Sequence, residues 1–365
     1  MKSHKQAAKS RKKFLEKKVE KIYRNYVSKK NRQNHNFQGE LGPENPSHDL
    51  SLPTDIPDDI QKFYEDLGCP FFHSLTRKSI PELAPLQKEV WMLICEYRLL
   101  LILKSQKIGI SSLCILATLW HALKDCRGME LMIIAQSDEQ AKEHAQDLRR
   151  ILLGSEKYRD YLITRQHKEF GLLKDEITKV NTIFLHNPEN KRQPTKIIVT
   201  GMSPGAIVSH KRVAFIWSSD MTLSNLMSDR MQDVWAAMLS RLANSQGSCI
   251  VECPARAPSG PVYETWERYE RQIENNEELD PQQDFHCFKF KYDRGIADGF
   301  FDEEFIEAER RRLGPVFGTF YEADFFASGA TWYRAEHFKN KSIEAANLLL
   351  SFYENDALES DVTEN

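Results

Sequence analysis

Residues 99–113 read LLLILKSQKIGISSL, and the fold turns on how that stretch is parsed. Leu99 to Leu103 is a continuous run of Leu and Ile, the pattern of a strand buried on both faces of a parallel sheet, and Lys104 marks its exit. Ser112 to Lys124 carries Leu113, Leu116, Ala117, Trp120 and Leu123 at helical spacing. Between strand and helix lies the loop Ser105, Gln106, Lys107, Ile108, Gly109, Ile110, with Ser111 and Ser112 opening the helix. A loop so placed can turn backbone N–H groups toward an anion at the helix N-terminus, where the peptide dipoles also favour negative charge. Gly109 permits a close backbone approach, and the Ser111 hydroxyl stands where such loops place a Mg²⁺ ligand. The standard pattern G-x-x-x-x-G-K-[ST] wants a glycine where this chain has Lys104 and a lysine where it has Ile110. The phosphate-neutralising cation must then be Lys104 or Lys107. An ordinary strand-to-helix turn fits the same residues.

Working outward, the second apolar strand is Leu131 to Ala135, followed by Gln136-Ser137-Asp138 as turn and helix cap. The helix from Glu139 to Leu153 presents Ala141, Ala145, Leu148, Ile151 and Leu152 on one face. Strand, helix, strand, helix at this spacing predicts a parallel α/β sheet with right-handed crossovers. Thr182 to His186 and Lys196 to Thr200 read as a hairpin around a polar loop. Gly201 to Ala206 is turn-rich, and the basic pair Lys211-Arg212 before the next strand faces either phosphate or solvent. Val213 to Trp217 is a third core strand, and Ser218-Ser219-Asp220-Met221 stands at its carboxyl end, where open parallel sheets bind ligands. An acid there can hold Mg²⁺ or orient an attacking water. Phosphate-loop ATPases use two acids at this point; here there is one. Either Asp220 takes the water-polarising place and Ser219 replaces the metal-binding acid, or Asp220 is the metal ligand and Met221 replaces the base. The first register is preferred.

Met227 to Leu242 is an amphipathic helix, Ser248 to Cys253 a fourth strand stopped by Pro254, and Ala255 to Pro261 a small-residue loop entering a helix at Val262. Phe285 to Tyr292 alternates as a further strand, Phe301 to Leu313 is helical and heavily charged, and Phe317 to Phe326 is rich in aromatic residues. Upstream, Ile60 to Phe72 predicts a helix ending at Gly68 with Phe63, Tyr64 and Leu67 inward. Gln87 lies just ahead of the helix that feeds the first core strand. Its amide can pair with the N6 and N7 edge of adenine, or serve the helix terminus alone.

The chain has 365 residues, 41% of them hydrophobic, enough for one large or two ordinary domains with a real core. No apolar run reaches the roughly 18 residues a membrane span needs, and the basic N-terminus lacks an apolar signal core, so a cytoplasmic setting without membrane contact is expected. Seven scattered cysteines predict free thiols in a reducing compartment. A zinc set of Cys249, Cys253, His286 and Cys287 can be drawn, but Cys249 and Cys253 bracket a predicted strand and the set is not favoured. The net charge of −3 conceals an asymmetry: Met1 to Asn34 carries thirteen Lys and Arg against Glu16 and Glu20. Such an arm contacts nucleic-acid phosphates or serves as a solvated tail, and Phe14, Val19, Ile22, Tyr23 and Val27 would let it fold as an amphipathic helix. His35 to Asp58 reads as a linker, so the ordered body starts near Pro57.

In order along the chain, PLQKEVW, LKSQKIGISSL, LMIIAQSDEQA, KRVAFIWSSDM, IVECPARAPSGPVYETW and DEEFIEAERRRLGPVFGTFYEADFF resemble the ATPase half of the large terminase subunit of tailed viruses. That family is the motor that docks on a portal ring and drives DNA into a prohead. The resemblance spans roughly Pro81 to Phe326. It implies an α/β phosphate-loop NTPase fold of the ASCE type, with a central, mainly parallel sheet flanked by helices. The organisation expected is a basic arm and linker over 1–56, the ATPase domain over 57–326 and a short tail over 327–365. ATP and Mg²⁺ are the implied cofactors. The implied nucleotide site comprises Gln87 on adenine and Ser105, Gln106, Lys107, Ile108, Gly109, Ile110, Ser111 and Ser112 around the phosphates. Lys104 and Asp220 carry the chemistry, Ser111, Ser219 and Asp220 hold Mg²⁺, and Cys253-Pro254 is the coupling loop. The implied partners are double-stranded DNA, a portal protein, a small terminase subunit and further copies in a ring, within the host cytoplasm during virion assembly. The family's nuclease domain is not expected from residues after Phe326. Two rival readings remain from the residues: a helicase-like or repair ATPase, and a hydrolysis-defective DNA-binding assembly protein, favoured by Ile110 and the reduced acid pair.

Overall fold

The Leu/Ile run forms β1 (Leu99–Lys104), buried along its whole length, and its alternate side chains feed two different cores. Leu100 and Ile102 point to one face of the sheet; Leu99, Leu101 and Leu103 point to the other. In this computed structural model the described residues are 52–72, 79–163, 181–210, 213–223, 228–243 and 245–325. The basic arm, most of the linker, the Lys211-Arg212 pair and the tail after Phe326 lie outside them.

Two helices precede β1: α1 (Ile60–Asp66), capped by the Asp59 carboxylate on the Lys62 N–H at 2.7 Å, and α2 (Pro85–Glu96) with proline in its first turn. The predicted inward residues Phe63, Tyr64 and Leu67 are buried, and the chain turns out at Gly68 in the left-handed region. After β1 comes α3 (Ile110–Leu123), which starts at Ile110 rather than at Ser112, because left-handed Gly109 is its N-cap. It is apolar nearly all round and sits in the middle of its layer. β2 (Glu130–Ala135) leads to α4 (Asp138–Gly154), capped by Ser137 and carrying Asp138 and Glu139 in its first turn, where the dipole favours acids. The expected hairpin is present as β3 (Thr182–Leu185) antiparallel to β4 (Thr195–Gly201). The turn-rich stretch that follows contains a short helix, α5 (Pro204–Val208), which proline at its first position starts. Then come β5 (Val213–Ser219), α6 (Ser228–Ala243), β6 (Ser248–Cys253) and α7 (Pro261–Glu274). β7 (Phe285–Phe290) stops short of Tyr292, which begins α8 (Tyr292–Ala297), and α9 (Glu303–Leu313) follows.

Among the described residues the strands form one sheet in the order β3-β4-β2-β5-β6-β1-β7, parallel except for β3. α2, α3 and α4 cover one face through Val90, Leu113, Leu116, Trp120, Ala141 and Leu148; α6 and α7 cover the other through Val234, Met238 and Val262. Each such Leu or Ile removed from water contributes about 1.5–3 kcal/mol, so the two cores hold the strand ends rigid. β6 lies between β1 and β5 and is paired with both. That insertion brings the carboxyl ends of three strands, with Lys104, Ser219 and Cys253, to one rim.

Candidate functional site

The loop after β1 is tied down on both sides. The Ser105 and Gln106 N–H groups donate to Phe290 O at 2.7 Å and Phe320 O at 2.8 Å, so the backbone donors of these two predicted site residues are already engaged. Ile108 and Ile110 are buried in the core and anchor the loop. Lys107 adopts a left-handed backbone (φ 63°) and lays its ammonium over the Phe305 ring, 5.3 Å from the centroid. The first bond of the helix runs from Leu113 N to Gly109 O at 3.1 Å, which leaves the N–H groups of Ile110, Ser111 and Ser112 without a partner inside the helix. Such free N–H groups, with the positive end of the helix dipole behind them, are of the kind that can accept an anion.

Gln87 is buried, and its amide is turned to the loop: Nε2 donates to Gly109 O at 2.9 Å, and Oε1 accepts from Ala84 N at 3.0 Å. It braces the glycine from below. Phe300 flanks the same glycine, since a Cβ at Gly109 would stand 2.7 Å from Phe300 Cζ and 2.9 Å from Gln87 Nε2. The segment after β7 thus forms a wall beside the loop, pinned to α2 by Leu86 N on Asp298 Oδ2 at 2.8 Å and by the Arg294–Glu89 ion pair.

The structure brings Lys104 and Asp220, the two residues expected to carry the chemistry, into contact. The Lys104 ammonium lies 3.4 Å from Asp220 Oδ1, and Asp220 is left-handed (φ 51°), an unusual backbone state for a residue with a side chain. That conformation turns Asp220 off the end of β5, with its N–H on Glu252 O at 2.8 Å. Its second oxygen accepts from Gln140 Nε2 at 3.1 Å, and Gln140 Oε1 in turn accepts from Gln136 N at 2.9 Å. One turn further along α4, the His144 ring packs against Trp217 with centroids 4.8 Å apart, and burial lowers its pKa, which keeps it neutral.

A second carboxylate, Glu252 on β6, completes the cluster. It is fully buried, with Oε1 accepting from Ser219 Oγ at 3.1 Å and Oε2 at 3.0 Å from the Lys104 ammonium. Sequence reasoning passed over it inside the strand SCIVEC, and over Gln140 in the first turn of α4. The one available signal was an acid at a buried strand position, which the general scarcity of buried carboxylates makes anomalous. Cys253 is buried at the end of β6, its thiol pushed up to about 12 by burial, and Pro254 O accepts from Thr222 Oγ1 at 2.6 Å. The residues of the predicted coupling loop therefore sit one strand away from Asp220. All seven cysteines are free.

Hydroxyls and carboxylates are the donors a hard cation takes, and Mg²⁺ typically uses one or two carboxylates with substrate phosphates rather than a closed protein cage. Asp220, Glu252, Ser219 and Ser111 are of that kind. No group of three or more His, Cys, Asp or Glu arranged as a metal cage occurs among the described residues.

A mainly parallel sheet with helices on both faces, and a glycine-bearing loop running from one strand into a buried helix, is consistent with the α/β fold of phosphate-loop NTPases. Within that class the fold is the one seen in phage large terminases. The ATPase domain of the Thermus phage P74-26 large terminase superposes with a TM-score of 0.52 at 14% identity, over 74% of this chain and 99% of that one, and a single-residue variant of it does the same at 15%. The HK97 bacteriophage large terminase superposes at 0.50 and 12% identity, over 72% of this chain and 55% of the other. No family profile and no curated protein sequence matches the chain. Among the described residues no helix is long and apolar enough to cross a membrane.

Proposed function

We propose that this chain binds and hydrolyses ATP with Mg²⁺ as the motor domain of a machine that packages double-stranded DNA. The observation that carries the reading is the Lys104–Asp220 pair at the rim of a parallel sheet, directly after the strand that enters the glycine loop. Phosphoryl transfer needs little covalent help from the protein; it needs positioned donors and charge. The unpaired N–H groups at the start of α3, together with that of Lys107, hold the phosphates, with Lys104 supplying the positive charge that Ile110 cannot. Ser111, Ser219 and Asp220 would hold Mg²⁺, which when bound would supply positive charge beside the phosphate oxygens. Asp220 orients the attacking water, for which one of its oxygens must be released from Gln140 or Lys104. Gln87 keeps Gly109 in its left-handed state and has one N–H and one lone pair left for adenine. Cys253-Pro254, paired to Asp220 through β6 and Thr222, transmits the state of the nucleotide. Portal, small subunit and a ring of copies, with an arginine from a neighbour, are the partners this reading brings.

A second reading, an assembly protein that binds nucleotide without turnover, is favoured by one observation: both Asp220 oxygens are already engaged. ATP turnover with Mg²⁺, with and without double-stranded DNA, separates the two. The motor reading expects turnover raised by DNA and lost in Asp220→Asn, a substitution that tolerates the left-handed backbone. Turnover that Asp220→Asn leaves unchanged refutes the role given to Asp220, and binding without turnover in the wild type selects the second reading.

A further inference from the structure

Position 219, at the end of β5, holds a hydroxyl where a second acid is expected, and the acid is found on the neighbouring strand. Ser219 and Glu252 are register partners in the parallel β5/β6 pair, and the Ser219 hydroxyl donates to Glu252 Oε1 at 3.1 Å. On its other side β6 is paired with β1, which places Glu252 opposite Ile102 and its Oε2 at 3.0 Å from the Lys104 ammonium. Ser219 and Glu252 are fully buried and Lys104 is 5% exposed. With both carboxylates ionised the cluster carries one positive and two negative charges, an excess of one negative charge, with Glu252 fully buried and, of the two acids, only the Asp220 side chain, 18% exposed, reaching solvent.

Stability alone gives no reason for that excess. A buried carboxylate costs free energy unless paired, and an apolar residue in the middle of SCIVEC would pack without the cost. Asp220 alone balances Lys104. Glu252 is explained when the site must take up further positive charge beside the phosphate loop.

We propose that Glu252 is the second carboxylate of the phosphate site, with acid and hydroxyl transposed between paired strands, so that Ser219 and Glu252 together stand in for the acid missing at position 219. Glu252 acts as a positioning residue: it fixes the Ser219 hydroxyl and the Lys104 ammonium and supplies the negative field that favours the cation accompanying the nucleotide. This inference rests on the ATP·Mg²⁺ reading given above.

The test is equilibrium binding of ATPγS across a Mg²⁺ titration, for the wild type, Glu252→Gln and the exchanged pair Ser219→Asp/Glu252→Ser, with thermal unfolding of each recorded alongside. Glu252→Gln keeps the shape and removes the charge. Removing one unit charge near a divalent cation is worth about tenfold even when strongly screened. Glu252→Gln therefore raises the Mg²⁺ concentration for half-maximal binding by about tenfold or more, while Mg²⁺-free binding is unchanged or tighter. The exchanged pair restores the Mg²⁺ dependence to within about threefold, because it returns the same charge and the same hydroxyl to the same rung. A Mg²⁺ dependence in Glu252→Gln equal to the wild type's overturns the inference, and so does a folded exchanged pair that stays as defective as Glu252→Gln. If Glu252→Gln loses its fold, the exchanged pair decides alone: a Mg²⁺ requirement about tenfold or more above the wild type's overturns the inference. A wild type that binds no nucleotide overturns the parent reading and this one together, and that result shows in the first arm.

Discussion

Replacing Lys104 with methionine keeps the apolar stem that fills the end of β1 and removes only the ammonium. The charge it leaves behind is the consequence. Glu252 is 0% exposed, and Lys104 is the only cation within ion-pair distance of it among the described residues. Breaking a buried pair by deleting one partner typically costs about 3–5 kcal/mol, because the remaining charge has neither water nor counter-charge. Asp220, with its side chain 18% exposed and the Gln140 amide still in place, adds little to that. For a domain of this size the loss corresponds to a fall in melting temperature of about 6–20 °C. Urea denaturation followed by tryptophan fluorescence reads it. The diagnostic is the double variant Lys104→Met/Glu252→Gln, which removes both charges and should regain about 2–3 kcal/mol over Lys104→Met. A second substitution that restabilises the first is the signature of an orphaned charge. Lys104→Met within about 1 kcal/mol of the wild type, or a double variant less stable than the single one, would show that Lys104 does not neutralise a buried Glu252 charge.

Gly109→Ala puts a side chain at φ 78°, where a Cβ costs about 1–2 kcal/mol, and drives it into the Phe300 ring and the Gln87 amide, for a total of about 2–4 kcal/mol. Phe300→Ala in the same chain recovers the packing part of the loss, and chemical denaturation of the pair measures it. At the opposite rim of the sheet, the His210 ring 3.2 Å from Glu130, with the Lys196 ammonium at 3.0 Å, holds the Glu130 carboxyl below the usual carboxylate range. A depressed acid contributes stability above its unfolded value near 4.3 and loses it as the pH falls. Glu130→Gln is accordingly about 1 kcal/mol less stable than the wild type at neutral pH, and the difference closes below about pH 4, as urea midpoints across pH will show. The thiols of Cys114 and Cys253, both buried and pushed up to about 12, stay unreactive to a thiol reagent in the native protein and react once it is unfolded in urea.

The parts of this architecture that local chemistry decides were legible from the residues. The Leu99–Leu103 run, the Ser137 cap, the 182–200 hairpin and an acid ending a buried strand each carry their instruction within a few positions. What could not be read depends on order across the sheet. Nothing in SCIVEC says that β6 slides between β1 and β5, yet that placement alone brings Glu252 to Lys104 and Ser219, residues 148 and 33 positions away in the chain. Gln140 stands in the first turn of α4, and its partner, the Asp220 carboxylate, comes from just beyond β5, 80 positions further along the chain. Gln87 was noticed for what its amide can pair with in a ligand. Its observed partners are backbone groups of Ala84 and Gly109, one in its own helix cap and one in the loop. Phe300 and Phe305, which flank the loop at Gly109 and Lys107, reach it by a long-range docking that nothing in their local sequence addresses.

The proposed function stands or falls on whether the loop after β1 takes a nucleotide phosphate. Calorimetric titration of the purified chain with ATP and Mg²⁺ tests it most directly, with Ser111→Ala as the paired variant, because that change removes one hydroxyl and leaves the buried anchors Ile108 and Ile110 in place. Saturable binding at one site per chain is expected, weakened about tenfold or more by Ser111→Ala and by withholding Mg²⁺. Absence of binding, or binding that neither change affects, would contradict it.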